Sequence, residues 1–351
     1  MSEKEHREPT LTSETSPLSP TGSSPQENIM HKEWAHLLRF LKNWTLPVAM
    51  TAGVAGYFLL SRIPFLAPAK HVTLHFSTAI TPVLIFCMLL LTFCKVEVRE
   101  LRPRRWHVWI LLIQLFGSIA LALAALACSD TYKEVLEGTL MCLICPTATA
   151  AAVITSKLGG SASTVASYTL LSNLLAAAFV PLVFPLIEPH ADVSFWAAAV
   201  LILSKLFFTL ICPFLTAQML RKWWPALHAR LLGRHELAFY LWSFSLAIVS
   251  AQTTRSIVNS TKDLHVELLI ALAALLICGL QFFLGKTIGS LDHDRISAGQ
   301  ALGQKNTILA IWMAYTFLNP ISSIAPGSYV LWQNIINSWQ LWKKRKNEIK
   351  H

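Results

Sequence analysis

The chain has 351 residues, of which 54% are hydrophobic and only 14% are charged. Soluble domains carry about 25% charged residues, whereas a bilayer core of roughly 30 Å takes about 20 apolar residues per helix. The composition therefore excludes a soluble enzyme, a collagen, a disulfide-rich secreted module and a disordered protein. The net charge of +10 leaves three sources open: a nucleic-acid surface, an anionic membrane surface, and the loops of a membrane protein.

The N-terminal segment differs from the rest of the chain. Residues 1–30 are rich in Ser, Thr, Pro and Glu and contain no apolar run, so we expect a disordered cytoplasmic tail. The segment also lacks the basic start and apolar stretch of a signal peptide. The part of the chain that enters the membrane is expected to begin near residue 45.

Ten apolar windows follow the tail, each long enough to cross a bilayer as a helix. The sequence therefore predicts an all-α polytopic membrane protein with about ten transmembrane helices. The windows are residues 45–62, 73–94, 106–128, 134–156, 161–187, 193–218, 236–253, 266–286, 296–316 and 321–341.

Basic residues are spread very unevenly over the predicted loops. With both termini on one side, 22 of the 29 Lys and Arg residues fall on that side. The other side holds only five, namely Arg62, Lys70, Lys133, Arg255 and Lys262. Because basic loops stay in the cytoplasm, we expect both termini there, including the basic C-terminus at 343–351. The expected location is the plasma membrane, or the inner membrane in a bacterium.

Two of the windows are interrupted by residues that break helices. Window four contains Pro146 between Cys145 and Thr147, and window nine contains GQALGQKNT over residues 299–307. Proline removes a backbone donor, and four successive polar residues cannot all face lipid. Each interruption falls in the fourth window of a set of five. Because five is an odd number, the second set runs in the opposite direction, which predicts two inverted repeats, at 45–187 and 193–341.

Interrupted helices that cross near the midplane are where many transporters bind their substrates. The candidate site residues are the polar residues of windows four, five, nine and ten. Thr169 with Asn173, and Gln333 with Asn337, are four residues apart and share a helix face. Close helix packing, backbone hydrogen bonds and a simple proline kink are the alternatives. The candidates are Thr147, Thr149, Thr169, Asn173, Gln304, Lys305, Asn306, Thr307, Gln333 and Asn337.

Lys205 and Lys305 lie in the interior of windows six and nine. A lysine near the bilayer centre is costly and usually faces a cavity or a partner. No Asp or Glu lies in the middle of any window. Lys305 must therefore be neutralised by backbone carbonyls, by helix C-termini, by losing its proton, or by a bound anion. For Lys205, extension towards the membrane surface or local pairing is the alternative to a functional role.

Catalytic and metal-binding motifs are missing from the sequence. Cys142 and Cys145 have C-x-x-C spacing, but a zinc site needs a second pair or a nearby histidine. The sequence contains no H-E-x-x-H, Walker A or G-x-S-x-G motif. We therefore expect no enzyme activity, no catalytic residues, no metal ligands and no cofactor.

Three segments resemble the bile acid:sodium symporter family, and within it a divergent symporter-like subgroup. They are residues 145–187, 303–320 and 329–339, and the weaker resemblance extends over nearly all of the chain from about residue 40. The resemblance implies ten helices in two inverted repeats. Windows one, two, six and seven would form a panel domain, and the other six windows would form a core domain in which helices four and nine cross near the midplane.

The sequence departs from that family at its sodium ligands. Sodium-dependent members carry Ser and Asn where this chain has Ala151 and Ala152. They also carry Glu and Gln where this chain has Ala301 and Lys305. Of the family's sodium ligands only Thr169 remains. Sodium binding is therefore not expected at these sites.

The sequence thus predicts a secondary transporter of small organic anions, either bile-acid-like, steroid-like or other carboxylates, that works by alternating access. Lys305 would replace the coupling cation or carry a proton. The alternative is a sensor or scaffold that binds a lipid or steroid in the same cleft without transporting it. The expected partners are the organic anion and the lipid bilayer. A homodimer is left open, and nucleic acid is not expected because the basic residues belong to short loops.

Overall fold

Helices form wherever the sequence has an apolar window, because a backbone inside lipid must pair its own polar groups. The computed structural model describes residues 45–62, 67–96, 103–128, 132–189, 193–234, 237–260 and 263–348. Within these ranges all regular structure is helical, apart from one isolated β-bridge. The polar tail at 1–30 and the last three residues of the basic C-terminus lie outside the described residues. Residues from Leu46 onward belong to one compact unit.

The first five windows give six helices, because window four is split. Its two parts are separated by residues 145–150. The other windows of this half are each one continuous helix. The helices are α1 (Thr45–Arg62), α2 (Ala67–Cys94), α3 (Arg105–Ala127), α4 (Lys133–Ile144), α5 (Ala151–Leu158) and α6 (Ala162–Ile187).

The second five windows give a similar pattern, with window nine split at residues 304–306. Four helices, α8, α10, α11 and α14, extend five or more residues beyond the C-terminal ends of their windows, because these ends are polar and can continue into water. One short helix, α9, lies in a stretch predicted as a loop and begins at a proline, a favoured first residue. The elements are α7 (Phe195–Leu206), a π segment (Phe207–Ile211), α8 (Cys212–Trp223), α9 (Pro225–Gly233), α10 (Leu237–Val258), α11 (Leu264–Leu291), α12 (Arg295–Gly303), α13 (Thr307–Phe317), a 3₁₀ turn (Pro320–Ser323) and α14 (Ile324–Glu348).

Among the described residues, five segments are long and apolar enough to cross a membrane on their own. Large apolar side chains on their outer surfaces, such as Leu123, Leu276 and Phe283, are exposed, as expected for a surface that faces lipid. The chain is therefore a multi-pass membrane protein. The segments are Phe76–Cys94, Arg105–Ala127, Ala162–Ile187, Phe195–Trp223 and Leu264–Leu291.

The largest buried cluster lies around the split helices. It includes Leu89 of α2, Met141 of α4, Phe184 of α6 and Trp312 of α13. Because close packing of such side chains leaves few voids, the broken ends are held among well-packed helices.

A tight turn separates α5 from α6. Gly159 has φ +88°, which a residue with a side chain rarely adopts. Its amide and that of Gly160 donate to the Ser156 and Thr155 carbonyls, at 3.0 and 2.9 Å, and close the end of α5. The short polar segment that divides windows four and five in the sequence is therefore a real helix boundary.

Helices α11 and α12 pack unusually closely through glycine. A Cβ atom at Gly285 would lie 2.6 Å from the Ala298 carbonyl oxygen, and one at Gly289 would lie 2.5 Å from the Ala298 Cβ. Both distances are shorter than a Cβ atom can approach another heavy atom. The close packing of α11 against α12 therefore requires glycine at both positions. In contrast, a Cβ at Gly279 on the same helix would meet no atom within 4 Å.

We expect Gly285→Ala to destabilise the protein by about 1–3 kcal/mol, the usual effect of overpacking. Gly279→Ala is the matched control and should leave stability unchanged or raise it by up to about 1 kcal/mol, because alanine favours helix over glycine. Thermal unfolding of the purified variants in one detergent measures both. Equal midpoints for the two variants would show that the glycine contact is not needed.

Candidate functional site

The two interruptions predicted from the sequence meet each other in the structure. Residues 145–150 between α4 and α5, and residues 304–306 between α12 and α13, are hereafter called the crossing. Thr147 and Lys305 form an antiparallel β-bridge. The Ala148 amide donates to the Gln304 carbonyl at 2.8 Å, and the Asn306 amide donates to the Pro146 carbonyl at 2.9 Å. Each break thus satisfies backbone groups of the other, as a low-dielectric environment requires.

Two predicted side chains stabilise the crossing. The Thr147 hydroxyl donates to the Ala301 carbonyl at 2.6 Å. The Asn306 side-chain oxygen accepts from the Leu309 amide at 3.3 Å, which caps the start of α13. These contacts give Thr147 and Asn306 a structural task at the crossing.

Lys305 is only 1% exposed and points at the end of α4. Its Nζ donates to the Leu143 carbonyl at 3.0 Å, and its backbone amide donates to Gln333 Oε1 at 2.9 Å. The last carbonyls of a helix carry partial negative charge, which favours a cation. In the part of the chain that the structure describes, no carboxylate forms an ion pair with Lys305. Of the partners predicted for it, the structure shows a backbone carbonyl at a helix C-terminus.

The same end of α4 is bound by a residue that the sequence reasoning missed. Gln114 of α3 donates through Nε2 to the carbonyls of Leu143, Ile144 and Cys145, at 2.9, 3.2 and 3.1 Å. Tyr168 of α6 holds Gln114 by donating to its Oε1 at 2.6 Å. Together with Lys305, these residues satisfy the carbonyls that Pro146 and the chain break leave without intrahelical donors.

A second Gln–Tyr pair lies at the other broken helix. Tyr329 of α14 donates to the Gly303 carbonyl, the last of α12, at 2.7 Å. Gln281 of α11 donates to Tyr329 Oη and to the Cys142 carbonyl, both at 3.1 Å. The sequence does contain a signal that could have identified these two glutamines. Gln114 and Gln281 are the only amide side chains in windows three and eight.

Four of the remaining predicted residues fall into two groups by their hydrogen bonds. Thr169 donates to the Val165 carbonyl of its own helix at 2.9 Å. Asn173, Gln304 and Asn337 are buried and have side-chain polar atoms without a hydrogen-bond partner in the described structure. Such atoms are rare and mark places where a bound molecule or water would be stabilised.

Two spaces adjoin the crossing. The smaller, of about 60 Å³, is lined by Thr149, Gln304, Lys305, Thr307 and Gln333 among others. The larger, of about 600 Å³, lies between the end of α2, α5 and α6 and is hereafter called the large cavity. Thr149 lines both spaces.

The large cavity is lined by hydroxyls and two cations. Thr92 and Ser163 contribute hydroxyls, while Lys95 and Lys157 contribute positive charge. Within the described lining no carboxylate is present. The arrangement is chemically suited to a molecule that carries negative charge.

Comparison with known proteins agrees with this geometry. The model of the sodium bile acid symporter family matches residues 81–260, which is half of the chain. The range includes α4, α5 and α6 and ends before α12 and α13. The chain belongs to this family, so the predicted family is confirmed. It is therefore a membrane protein of a transporter family and not an enzyme. No curated protein matches the chain.

We expect Gln114→Leu to destabilise the protein by about 2–3 kcal/mol, because it leaves buried carbonyls and the Tyr168 hydroxyl without partners. Ser118→Ala is the matched control. Ser118 is equally buried one turn further along α3, and its hydroxyl has no hydrogen-bond partner in the described structure. The midpoint of thermal unfolding should therefore be lower for Gln114→Leu than for Ser118→Ala. A control as unstable as Gln114→Leu would contradict the assigned role.

Proposed function

We propose that the chain is a secondary transporter of small organic anions that works by alternating access, without coupling through the family's usual sodium sites. The observation that carries the proposal is the Lys305 ammonium bound at the C-terminal end of α4, inside a pair of broken helices. Discontinuous helices that meet in this way build the ion and substrate sites of many transporters.

Ten transmembrane helices in two inverted repeats are part of this proposal. Every predicted window contains helix in the described residues, and windows four and nine are both split. The Gln–Tyr pairs add support, because Gln114 and Gln281 lie in the third window of each set, and Tyr168 and Tyr329 lie in the fifth. The contacts differ in detail, because Gln114 binds the end of α4 whereas Tyr329 binds the end of α12. Gln and Tyr at matching positions of the two sets are nevertheless expected of a duplicated unit.

The large cavity is the proposed substrate site. It lies between α2, which belongs to the proposed panel, and α5 and α6, which belong to the proposed core. The N-terminus of α5 adjoins it and favours negative charge. The basic-residue count assigns Lys95, just after α2, and Lys157, in the last turn of α5, to the cytoplasmic side. With both termini there, the cavity would open to the cytoplasm of a plasma membrane, or of an inner membrane in a bacterium.

Lys305 is proposed to take the place of a coupling sodium ion. Sodium in such sites is held by backbone carbonyls and helix C-termini, and the Lys305 Nζ lies 3.0 Å from the carbonyl of Leu143 at one helix C-terminus. The methyl groups of Ala151, Ala152 and Ala301 offer no oxygen ligand. A tethered ammonium would therefore supply the charge without an ion that binds and leaves.

The second candidate is a sensor or scaffold that binds a lipid or steroid without transporting it. The tight crossing favours it, because Thr147, Lys305 and Asn306 are all engaged in the crossing and the space beside them is only about 60 Å³. The two candidates differ in flux. Exchange of a preloaded labelled anion against external unlabelled anion across vesicles requires a transporter.

We expect uptake of an organic anion into proteoliposomes to be the same in sodium chloride and in choline chloride. Suitable tracers are a conjugated bile acid, a steroid sulfate and a small monocarboxylate, each with empty liposomes as the control. Uptake that rises steeply with sodium would contradict the proposal. Binding of a tracer without exchange would favour the sensor.

We also expect Lys305→Gln and Lys305→Ala to lower that uptake about tenfold or more, because a buried charged hydrogen bond is lost. Lys222→Gln, which removes an exposed charge at the end of α8, is the control for net charge and should keep wild-type uptake. Undiminished transport by both Lys305 variants would refute the assigned role.

A further inference from the structure

A third cavity, of about 380 Å³, lies between α2, the α7–π segment and α13. It shares no lining residue with the crossing space or the large cavity. Its size falls within the usual range for small-molecule sites. The lining residues that matter here are Pro82, Lys205, Phe208, Thr209, Trp312 and Thr316.

Lys205 is the charged residue of this cavity and lies deep in an apolar segment. It is the eleventh residue of the continuous segment Phe195–Trp223, about 15 Å from the start at 1.5 Å per residue. Its Nζ lies 5.5 Å from the centroid of the Phe317 ring. Among the described residues, no carboxylate pairs with it or lines the cavity. A lysine at this depth is costly unless it faces a cavity, a partner or the membrane surface, and Lys205 lines this cavity.

The backbone next to Lys205 departs from a regular α-helix. The π segment Phe207–Ile211 follows at once, and the Thr209 hydroxyl donates to the Lys205 carbonyl at 2.7 Å. Single π turns inside α-helices often occur at functional sites. Here the π turn lies between Lys205 and the end of the segment and brings Phe208 and Thr209 into the cavity lining.

The wall of the cavity that α13 forms contains a polar side chain without a hydrogen-bond partner. The Thr316 hydroxyl oxygen is buried, and no hydrogen-bond partner for it exists in the described structure. Trp312, which is 3% exposed, packs edge-on against Phe317 with ring centroids 5.4 Å apart. The cavity thus combines one cation, one unsatisfied hydroxyl and aromatic walls.

We propose that this cavity binds an amphipathic anion. The negatively charged head lies at Lys205 Nζ and the Thr316 hydroxyl, and the apolar body packs among Pro82, Phe208 and Trp312. The head chemistry is a carboxylate or phosphate on an apolar chain, which reaches the cavity either from the bilayer or from water. Binding here requires no flux, so it is independent of the proposed transport.

The test uses the full chain in nanodiscs of neutral phosphatidylcholine. The probe is dodecanoic acid with a diazirine on its chain, and the corresponding alcohol is the uncharged comparison. We expect the acid to cross-link within residues 205–209 or 312–316. Lys205→Gln should lower this labelling about tenfold. Lys205→Arg, which keeps the charge, and Lys222→Gln, which removes a charge elsewhere on the segment, should retain it.

Equal labelling of Lys205→Gln and wild type, equal labelling by acid and alcohol, or cross-links only elsewhere would overturn the proposal. Competition with unlabelled molecules shows whether the bound anion comes from the bilayer or from water. Loss of labelling when phosphatidylglycerol is added to the disc identifies a bilayer lipid, and loss only with unlabelled dodecanoate identifies a free amphipath. Labelling that neither competitor reduces is unspecific and also overturns it. No gradient is applied, so a failure of the transport proposal leaves this result intact.

Discussion

The structure depends on one constraint, that backbone donors and acceptors inside a membrane must be paired within the protein. Both breaks, at 145–150 and at 304–306, would be unfavourable alone, because each exposes polar groups of a chain surrounded by apolar helices. They become compatible with the membrane by pairing with each other and with Gln114, Tyr168, Gln281 and Tyr329. The crossing is thus a polar centre built from two segments about 160 residues apart in sequence.

In the proposed transporter, Lys305 takes the place of a bound sodium ion at that centre. An ion at a helix C-terminus binds and leaves, so its charge varies through a cycle. On this proposal, an ammonium group attached to the chain stays at the end of α4 throughout the cycle. Sodium concentration would then not act as the driving force. Any concentrative transport would then require another ion or the gradient of the anion itself.

The sequence predicted the features that depend on local composition. Apolar windows gave helices, Pro146 and the GQALGQKNT segment gave the two breaks, and the depth of Lys305 predicted a need for neutralisation. Each of these follows from residues close together in the chain. The boundaries differ mainly at helix ends, such as those of α10, α11 and α14, where helix continues into polar residues that a hydropathy window excludes.

The sequence could not predict which partners the polar residues have. Gln114 reaches carbonyls about 30 residues away, and Thr147 donates to Ala301 rather than facing a ligand. Such pairings depend on how helices cross, which hydropathy does not encode. Equally, Lys205 and Lys305 are both lysines in the interior of an apolar window. Lys305 is buried against a helix end, whereas Lys205 is exposed and lines a cavity.

The central claim is that Lys305 supplies the charge at the crossing in place of sodium. Thermal unfolding of wild type and Lys305→Gln, each in sodium chloride and in choline chloride, tests it most directly. We expect the same wild-type midpoint in both salts, and a Lys305→Gln variant that is less stable than wild type by about 2 kcal/mol in choline. A wild-type midpoint that rises with sodium concentration, or a variant as stable as wild type in choline, would contradict it.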